Sequence, residues 1–448
     1  MIKITTTFDK NAFAKKQNEA LFMVELQAPK KKVLTNKEIQ QLNIALAIDI
    51  SGSMGEPVKG RGLTSRLGFF VNQANGIQEL ASNLPEIAIS KMEQAKRAAL
   101  KAMETMRNGD ILSVVSFDDQ ITVVVPSTVL SNENRSSIKE KINSLNPRGM
   151  TNIYDGWHAA ATEVAKNIKA KSINRVILLT DGQANTGITN MDTICSNVLL
   201  MKNASISTST FGIGEQFNED LLQGMANSGD GNSYYITNDS QLQDFFKDEF
   251  NGLNNMYATD IKMYFEFEKN QSVIEQVNGL ILDNGKYSVP NLISEGKNSL
   301  LFKLQIKVSK NTNEHNVGKL IVSFKDSDGV EKIEKVDITN AIVTQKEWDL
   351  LPFNQEIKVQ EALMLVANKK LEATRAIDAG NMTLAKNILN GSMQFMASAS
   401  ASFNDSRLNT ETAAIGASLS NADSMSKESF RKDLSYSSYI TRSGKNDK

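Results

Sequence analysis

Between about residues 40 and 255, apolar strand candidates alternate with helix candidates, and this alternation limits the folds open to the chain more than any other feature. The strand candidates are NIALAID (43–49), DILSVVSF (110–117), NRVILLT (174–180) and SISTSTF (205–211), with ITVVV (121–125) as a hairpin partner of the second. The helix candidates cover residues 90–106, 153–168 and 218–228. Continuously apolar strands between amphipathic helices indicate an α/β fold with a doubly wound, mostly parallel sheet. We expect this domain over residues 39–255, with its ligand bound beyond the carboxyl ends of the strands.

Beyond residue 256 the pattern changes to period two. Segments such as YATDIKMYFEFEK, NSLLFKLQIKV and GKLIVSFKD alternate apolar and polar residues and are separated by turn residues. This pattern predicts an antiparallel β-sandwich over residues 256–348. The segment ALFMVELQAP (20–29) also has the pattern of a strand, but no helix follows it. We therefore predict that residues 1–38 complete the sandwich and that the α/β domain is inserted within it.

The last hundred residues divide into a helical part and a polar part. The first predicted helix has one buried face, formed by Val359, Leu363, Val366 and Leu371. Gly380 is expected to end it, and an antiparallel helix in NMTLAKNILNGSMQFM completes a helical hairpin over residues 349–397. Residues 398–448 are rich in Ser, Asn, Asp and Lys and are expected to have little fixed structure. Within them, SYSSYITR (435–442) is interpreted either as a short recognition segment or as plain disorder.

Composition and charge argue against several functions. The 50 Lys and Arg residues nearly balance the 51 Asp and Glu residues, whereas a nucleic-acid binder usually carries a basic excess. The single cysteine, Cys195, rules out an intramolecular disulfide framework, and its apolar surroundings indicate packing rather than catalysis. No stretch is apolar enough for a signal peptide or a membrane-spanning helix. We therefore expect no nucleic-acid or membrane partner, and a cytoplasmic location.

A group of oxygen-bearing side chains lies at the predicted carboxyl ends of the strands. Asp49 closes the first apolar strand and is followed by Ser51 and Ser53. Thr151 precedes a helix candidate, and Asp181 closes the strand NRVILLT. Because the carboxyl ends of parallel strands meet at one edge of a sheet, these loops can converge on one site. Carboxylate and hydroxyl oxygens suit hard cations such as Mg²⁺, Mn²⁺ or Ca²⁺ better than zinc.

These residues resemble the metal-ion-dependent adhesion site (MIDAS) of the von Willebrand factor A (VWA) family. The family pattern is Asp-x-Ser-x-Ser, a distant Thr and a distant Asp, and it is matched in full by Asp49, Ser51, Ser53, Thr151 and Asp181. The segments DISGSM and LLTDGQANTG are similar to bacterial versions, and the resemblance covers roughly residues 40–255. The predicted order of domains resembles, more weakly, that of the inter-alpha-trypsin inhibitor heavy chains.

The resemblance implies a function as well as a fold. Five oxygen ligands, some acting through water, would hold one Mg²⁺ (or Mn²⁺ or Ca²⁺) and leave one octahedral position open. An Asp or Glu of a protein partner would fill that position, since the two acidic ligands only roughly offset the charge of the ion. Bacterial VWA proteins often act beside AAA+ ATPases, kinases or other signalling proteins. The expected function is therefore a metal-dependent binding module or scaffold, without catalysis.

The alternative is a metal-dependent hydrolase that uses Asp49 and Asp181 to activate a water molecule. Against it, the sequence offers no positioned general base. The only two histidines, His158 and His315, lie far apart in different predicted domains, which also disfavours a histidine-based zinc site or a Ser-His-Asp triad. A turnover assay with Mg²⁺ or Mn²⁺ distinguishes the two functions.

The sequence departs from the family pattern directly after Ser53. Residues 55–89 intervene before the helix SKMEQAKRAALKAM, and this insertion contains the apolar run LGFFV. It is interpreted either as a small helix packed on the edge of the domain or as a rim that shapes the choice of partner. Glu56 is close enough in sequence to approach the ion, where it could replace a partner carboxylate in a closed state.

Overall fold

The computed structural model describes residues 1–15, 17–30, 40–57, 89–169, 171–236, 239–308 and 313–443. The chain forms two compact units, one made of residues 1–38 and 255–448 and the other of residues 39–254. The second unit is therefore inserted in the sequence of the first. Most of the insertion at 55–89 lies outside the described residues, so both interpretations of it stay predictions. None of the described helices combines the length and apolar character needed to cross a bilayer.

The strands, numbered in chain order, are β1 (Lys3–Phe8), β2 (Ala12–Ala14), β3 (Gln17–Gln27), β4 (Gln41–Asp49), β5 (Ile111–Phe117), β6 (Ile121–Val129), β7 (Ser172–Thr180), β8 (Ser207–Ile213), β9 (Ser233–Ile236), β10 (Met256–Phe267), β11 (Gln271–Gln276), β12 (Leu282–Asp283), β13 (Lys286–Val289), β14 (Leu292–Ile293), β15 (Lys297–Lys307), β16 (Glu314–Asp326) and β17 (Glu331–Val343). The α-helices are α1 (Lys91–Thr105), α2 (Arg135–Asn143), α3 (Ile153–Ala165), α4 (Met191–Asn203), α5 (Glu219–Ser228), α6 (Asp239–Asn254), α7 (Gln345–Leu350), α8 (Gln355–Asp378), α9 (Met382–Phe403), α10 (Ser406–Asn421) and α11 (Lys427–Ser443).

The inserted unit is built on a six-stranded sheet in the order β6-β5-β4-β7-β8-β9. All neighbouring strands are parallel except β6, which forms the predicted antiparallel hairpin with β5. Every residue of β5, and all but the first residue of β4 and β7, is buried. The continuously apolar segments are therefore strands covered on both faces, and the predicted α/β class is confirmed. The strand order reverses at β4, whose neighbours β5 and β7 both come later in the chain, so a ligand is expected at its carboxyl end.

The other unit contains the predicted antiparallel β-sandwich. One sheet has the order β1-β3-β15-β11, and the second has the order β12-β13-β10-β16-β17-β2 with β14 paired to β10. Residues 20–27 of the strand predicted at 20–29 belong to β3, which pairs with β15 from Gln17 to Gln27. Its residues Phe22 and Val24 share one core with Ile261 and Leu320 of the opposite sheet. The N-terminal segment therefore supplies a strand of the sandwich, as its pattern predicted.

The C-terminal part of the chain corrects the prediction. Instead of a hairpin over 349–397 followed by a disordered tail over 398–448, helix continues through α9, α10 and α11 to Ser443. The segment SYSSYITR belongs to α11 and is therefore helical, not disordered. One core cluster joins these helices to α8, and its members include Val359, Leu389, Leu408, Ile415, Phe430 and Leu434.

The helices of this segment were not predicted because the segment is polar overall and contains few apolar residues. Leu408 and Ile415 are seven residues apart in α10, and Phe430 and Leu434 are four apart in α11, so each pair lies on one helix face. All four side chains are almost completely buried. Ser438 is also buried and donates its hydroxyl to the Ala367 carbonyl at 2.8 Å. Small polar residues that bond to backbone therefore fill helix contacts here, although composition alone indicated disorder.

Gly380 follows α8 in the left-handed conformation (φ +76°), as expected for the residue that ends a helix. We expect Gly380→Ala to lower the free energy of unfolding of this unit by about 1 kcal/mol, because a Cβ disfavours left-handed backbone. The matched control is Gly391→Ala inside α9, where an added Cβ has nothing within 4 Å. That change should raise the free energy of unfolding by about 0.5–1 kcal/mol. Urea denaturation measures both values, and a shift of the same sign in the two variants would contradict this account.

Candidate metal centre

Asp49 lies at the centre of the site, at the carboxyl end of β4 where the strand order reverses. Its side chain is completely buried. The Ser51 backbone N–H donates to Asp49 Oδ1 at 2.8 Å, and the Thr180 hydroxyl donates to Asp49 Oδ2 at 2.5 Å. Thr180 is the last residue of β7, so a hydrogen bond between neighbouring strand ends fixes the carboxylate.

Two of the predicted hydroxyls stand in the loop that follows. Ser51 precedes a short 3-10 turn at Gly52–Gly55, which contains Ser53. The Ser51 and Ser53 Oγ atoms are 3.2 Å apart, and Ser53 Oγ donates to Asp181 Oδ1 at 2.9 Å. Ser51 is 2% exposed, whereas Ser53 is partly exposed. The loop therefore carries these oxygens from a buried carboxylate towards the surface.

Thr151 lies in the loop between α2 and α3, and this loop approaches Asp49 and Asp181. The Thr151 N–H donates to Asn185 Oδ1 at 3.0 Å, and the Asn185 N–H donates back to the Thr151 carbonyl at 3.2 Å. A Cβ built on Gly182 would lie 3.0 Å from Thr151 Oγ1 and 3.6 Å from Asp49 Oδ2. A side chain at this position, directly after Asp181, would therefore crowd the Thr151 hydroxyl. The structure thus brings together all five side chains that the sequence singled out.

The loops that carry these residues are tied to one another by backbone hydrogen bonds. The Gly52 N–H donates to the Gly149 carbonyl at 3.2 Å, and the Arg148 N–H donates to the Ile50 carbonyl at 2.6 Å. The rim beside them is open to solvent, since Met150, which adjoins Thr151, is 52% exposed. The arrangement is therefore a pre-formed group of oxygens with one side facing outwards.

Burial makes the negative charge of Asp49 unfavourable. Its pKa is raised to about 6: desolvation is the main cause and the nearby Asp181 carboxylate adds to it, while hydrogen bonds involving Thr180 and Ser51 act in the opposite direction. No positively charged side chain is among the main causes of this pKa. A bound cation would supply the missing positive charge. The donor set of two carboxylates and three hydroxyls, all hard oxygens, fits Mg²⁺, Mn²⁺ or Ca²⁺.

One charged residue of the site was missed by the sequence reasoning. Lys91, the first residue of α1, places its Nζ 2.7 Å from Asp181 Oδ2 and 3.2 Å from Glu56 Oε2. Glu56 therefore approaches the site, as its position in sequence suggested, but among the described contacts its partner is this ammonium group. The available signal was the lysine at the start of KMEQAKRAAL, directly after the insertion.

The two histidines and the single cysteine considered in the sequence analysis have contacts other than the five oxygens. The His158 ring stacks on Tyr154 with 5.8 Å between centroids, and His315 Nε2 is 3.0 Å from Gln271 Nε2. Cys195 is half-buried in α4, and burial raises the pKa of its thiol, which disfavours the reactive thiolate. None of these three residues contributes to the group of five oxygens.

Fold and site together define a class of protein: a doubly wound α/β domain that gathers hydroxyl and carboxylate oxygens where its strand order reverses. The family model of the von Willebrand factor type A domain matches residues 86–248, which include Thr151 and Asp181. Residues 86–248 of the chain thus match this domain, and the resemblance seen in the sequence is confirmed for that part.

Two relatives illustrate the similarity. Uncharacterized protein YfbK of Escherichia coli K12 is 29% identical over 230 residues, which are 48% of this chain and 39% of YfbK. Human inter-alpha-trypsin inhibitor heavy chain H3 is 26% identical over 304 residues, 65% of this chain and 29% of the relative. The match therefore spans well under half of either relative.

Two solved structures share the fold over nearly the whole chain. A von Willebrand factor type A protein from Catenulispora acidiphila has a TM-score of 0.64 and 16% identity, covering 91% of this chain and 89% of the other. The ArnB paralog VWA2 from Sulfolobus acidocaldarius has a TM-score of 0.58 and 14% identity, covering 98% of each chain. These matches extend beyond the inserted unit to the sandwich and the helices that follow it.

Proposed function

We propose that the chain is a protein-binding module whose inserted unit holds one divalent cation, Mg²⁺ or else Mn²⁺ or Ca²⁺. The observation that carries the proposal is the convergence of five oxygen-bearing side chains on one partly open point at the reversal of the strand order. The residues that would hold the ion, directly or through water, are Asp49, Ser51, Ser53, Thr151 and Asp181. When bound, the ion supplies a positive charge that can accept an oxygen from outside the chain.

The surroundings of the site support capture of an acidic side chain. Asp49 and Asp181 are buried and held by hydrogen bonds, so they need little rearrangement to meet a cation. Ser53 and the adjoining rim are accessible, which leaves an approach for a carboxylate from a partner. Exposed Met150 offers apolar contact beside it. A protein partner that presents Asp or Glu fits this combination, and an AAA+ ATPase or a signalling protein is the class suggested by the family resemblance.

The experiment that tests the metal site is isothermal titration calorimetry of Mn²⁺ and Mg²⁺ into the full chain. We expect one ion per chain for the wild type and at least a roughly hundredfold loss of affinity in Asp49→Asn, because the neutral amide removes a charged ligand at a site whose hard cation needs anionic oxygen. The matched control is Asp192→Asn, an exposed carboxylate of the same unit, which should leave affinity unchanged. Absence of binding by the wild type, or equal binding by Asp49→Asn, would refute the metal site.

Partner capture is tested separately. Wild-type protein immobilised in Mg²⁺ is exposed to peptide pools in which each Asp or Glu is paired with its Asn or Gln isostere. Retention of only the acidic member, reversed by EDTA and lost in Asp49→Asn, is expected. In parallel, turnover of p-nitrophenyl phosphate with Mn²⁺ that is lost in Asp49→Asn would favour the hydrolase instead. Retention that ignores EDTA would contradict the proposed binding mode.

A further inference from the structure

A lysine ammonium group lies among the oxygens of the candidate metal centre. The Lys91 side chain is only 6% exposed, and its Nζ donates to Asp181 Oδ2 and to Glu56 Oε2. Asp181 is completely buried, whereas the Glu56 side chain is 56% exposed. The lysine thus neutralises one of the two carboxylates proposed to bind metal, while the other carboxylate, Asp49, has no such partner among the described residues.

The position of this ammonium group is fixed by the backbone around it. The Lys91 N–H donates to the Glu56 carbonyl at 3.0 Å, and the preceding Ser90 forms a β-bridge with Pro57. Ser90 also caps α1, since its Oγ accepts from the Glu93 N–H at 3.2 Å. Along the side chain, a Cβ on Gly214 would lie 3.2 Å from Lys91 Cε. The aliphatic stem is therefore packed against the end of β8, which limits withdrawal of the ammonium from Asp181.

We propose that Lys91 is a resident cation that competes with the divalent ion for Asp181 and thereby sets the metal affinity of the site. The inference rests on the metal site of the proposed function and not on any partner. Two cations that share one buried carboxylate repel each other, and the repulsion is strong where water is largely excluded. The metal-bound state contains this repulsion, whereas the metal-free state contains only the attraction between Lys91 and Asp181.

Lys91 and Glu56 have opposite effects on the metal affinity of the site. Without metal, Lys91 compensates a buried carboxylate that would otherwise stand uncompensated close to Asp49, so it stabilises the empty site. Glu56 attracts the same ammonium group from the solvent side and so weakens the attraction between Lys91 and Asp181. Removing the lysine charge should therefore strengthen metal binding, and removing the Glu56 charge should weaken it.

The test compares Mn²⁺ titrations of full-length wild type, Lys91→Met, Lys91→Arg and Glu56→Gln, together with the melting temperature of each in EDTA. Lys91→Met should bind Mn²⁺ about tenfold more tightly and melt at a lower temperature without metal, because one repulsive charge and one compensating charge are lost together. Lys91→Arg keeps the charge and should stay within about threefold of wild type, whereas Glu56→Gln should bind about threefold more weakly. The matched control, Lys101→Met, removes an exposed charge of the same helix and should change neither value.

The outcomes separate this inference from the proposed function. If the wild type binds Mn²⁺ and Lys91→Met binds it equally or less tightly, the competition is refuted while the metal site stands. If neither protein binds Mn²⁺, both proposals are wrong. If Lys91→Met does not fold, Glu56→Gln decides: weaker binding supports the competition, and equal or tighter binding overturns it.

Discussion

Deleting residues 1–35 is expected to unfold the sandwich and the helices that follow it, while residues 39–254 stay folded. The deletion removes β3, which lies between β1 and β15 in its sheet and pairs with β15 along its whole length. It also removes Phe22, Val24 and Leu26, all completely buried. At about 1.5–3 kcal/mol for each such side chain, their loss rivals the 5–15 kcal/mol that typically stabilises a domain.

The measurement is hydrogen exchange followed by mass spectrometry, with limited proteolysis as a second readout. Amides of β10, β15 and β16 should lose protection, whereas amides of β4, β5 and β7 should keep it. A graded control deletes residues 1–10, which removes only the edge strand β1 and leaves β2 and β3 in place. That control should weaken the sandwich without unfolding it. Protection of β15 and β16 that survives the longer deletion would show that the N-terminal strands are dispensable.

The sequence was sufficient for the fold of the inserted unit because its strands are buried on both faces. Continuous apolar runs such as NIALAID and NRVILLT therefore identified β4 and β7 directly. Helices that are buried on one side and exposed on the other were harder to recognise from the sequence. The residues of α4 and α6 were not predicted as helix, although Ile194 and Val198 of α4 are completely buried four residues apart. Short helices with so narrow an apolar face are stabilised mainly by packing against the sheet, which the sequence of the helix alone does not show.

In the candidate site, the positions of residues along the backbone could be predicted from the sequence, but the contacts between their side chains could not. Asp49 and Asp181 could be placed from sequence because each stands at the end of a strand, and strand ends converge by topology. Thr151 could be placed because it directly precedes a helix candidate of the same domain. The hydrogen bond from Thr180 to Asp49 and the ion pair from Lys91 to Asp181 could not, since they depend on side-chain direction across separate elements. The C-terminal error had another cause. Composition reports average polarity, whereas Leu408 and Phe430 form a core through spacing alone.

The inserted unit contains a buried ion pair, and removing one partner of such a pair is strongly destabilising. Arg175 Nη1 lies 2.5 Å from Glu249 Oε1, with side-chain exposures of 4% and 0%, and joins β7 to α6. Ser209, Asn232 and Tyr234 also donate to the same carboxylate, at 2.7, 2.6 and 2.9 Å. Burial by itself raises the pKa of Glu249, but Arg175 and the hydrogen bonds outweigh it and hold the pKa below its usual 4.5.

Glu249→Ala is expected to lower the free energy of unfolding by about 3–5 kcal/mol at pH 7, because it leaves the Arg175 charge buried without a partner. The lowered pKa sets the direction with pH: the stabilisation is fully present above the unfolded pKa near 4.5 and is lost as the pH falls through the folded value. An exposed pair of the same unit provides the control, since Glu104→Ala, which breaks the contact with Lys101, should change stability by less than about 1 kcal/mol.

Urea denaturation at pH 7 and in acid measures these differences, and Arg175→Met with Glu249→Leu distinguishes an uncompensated charge from lost packing. If the uncompensated charge is responsible, the double variant should recover much of the stability lost in Glu249→Ala, because an apolar pair of similar volume needs no charge compensation. Arg175 lies near the start of β7 and Asp181 follows its end, so variants that remain folded should bind Mn²⁺ as the wild type does. A double variant no more stable than Glu249→Ala would assign the loss to packing and to the three hydrogen bonds instead.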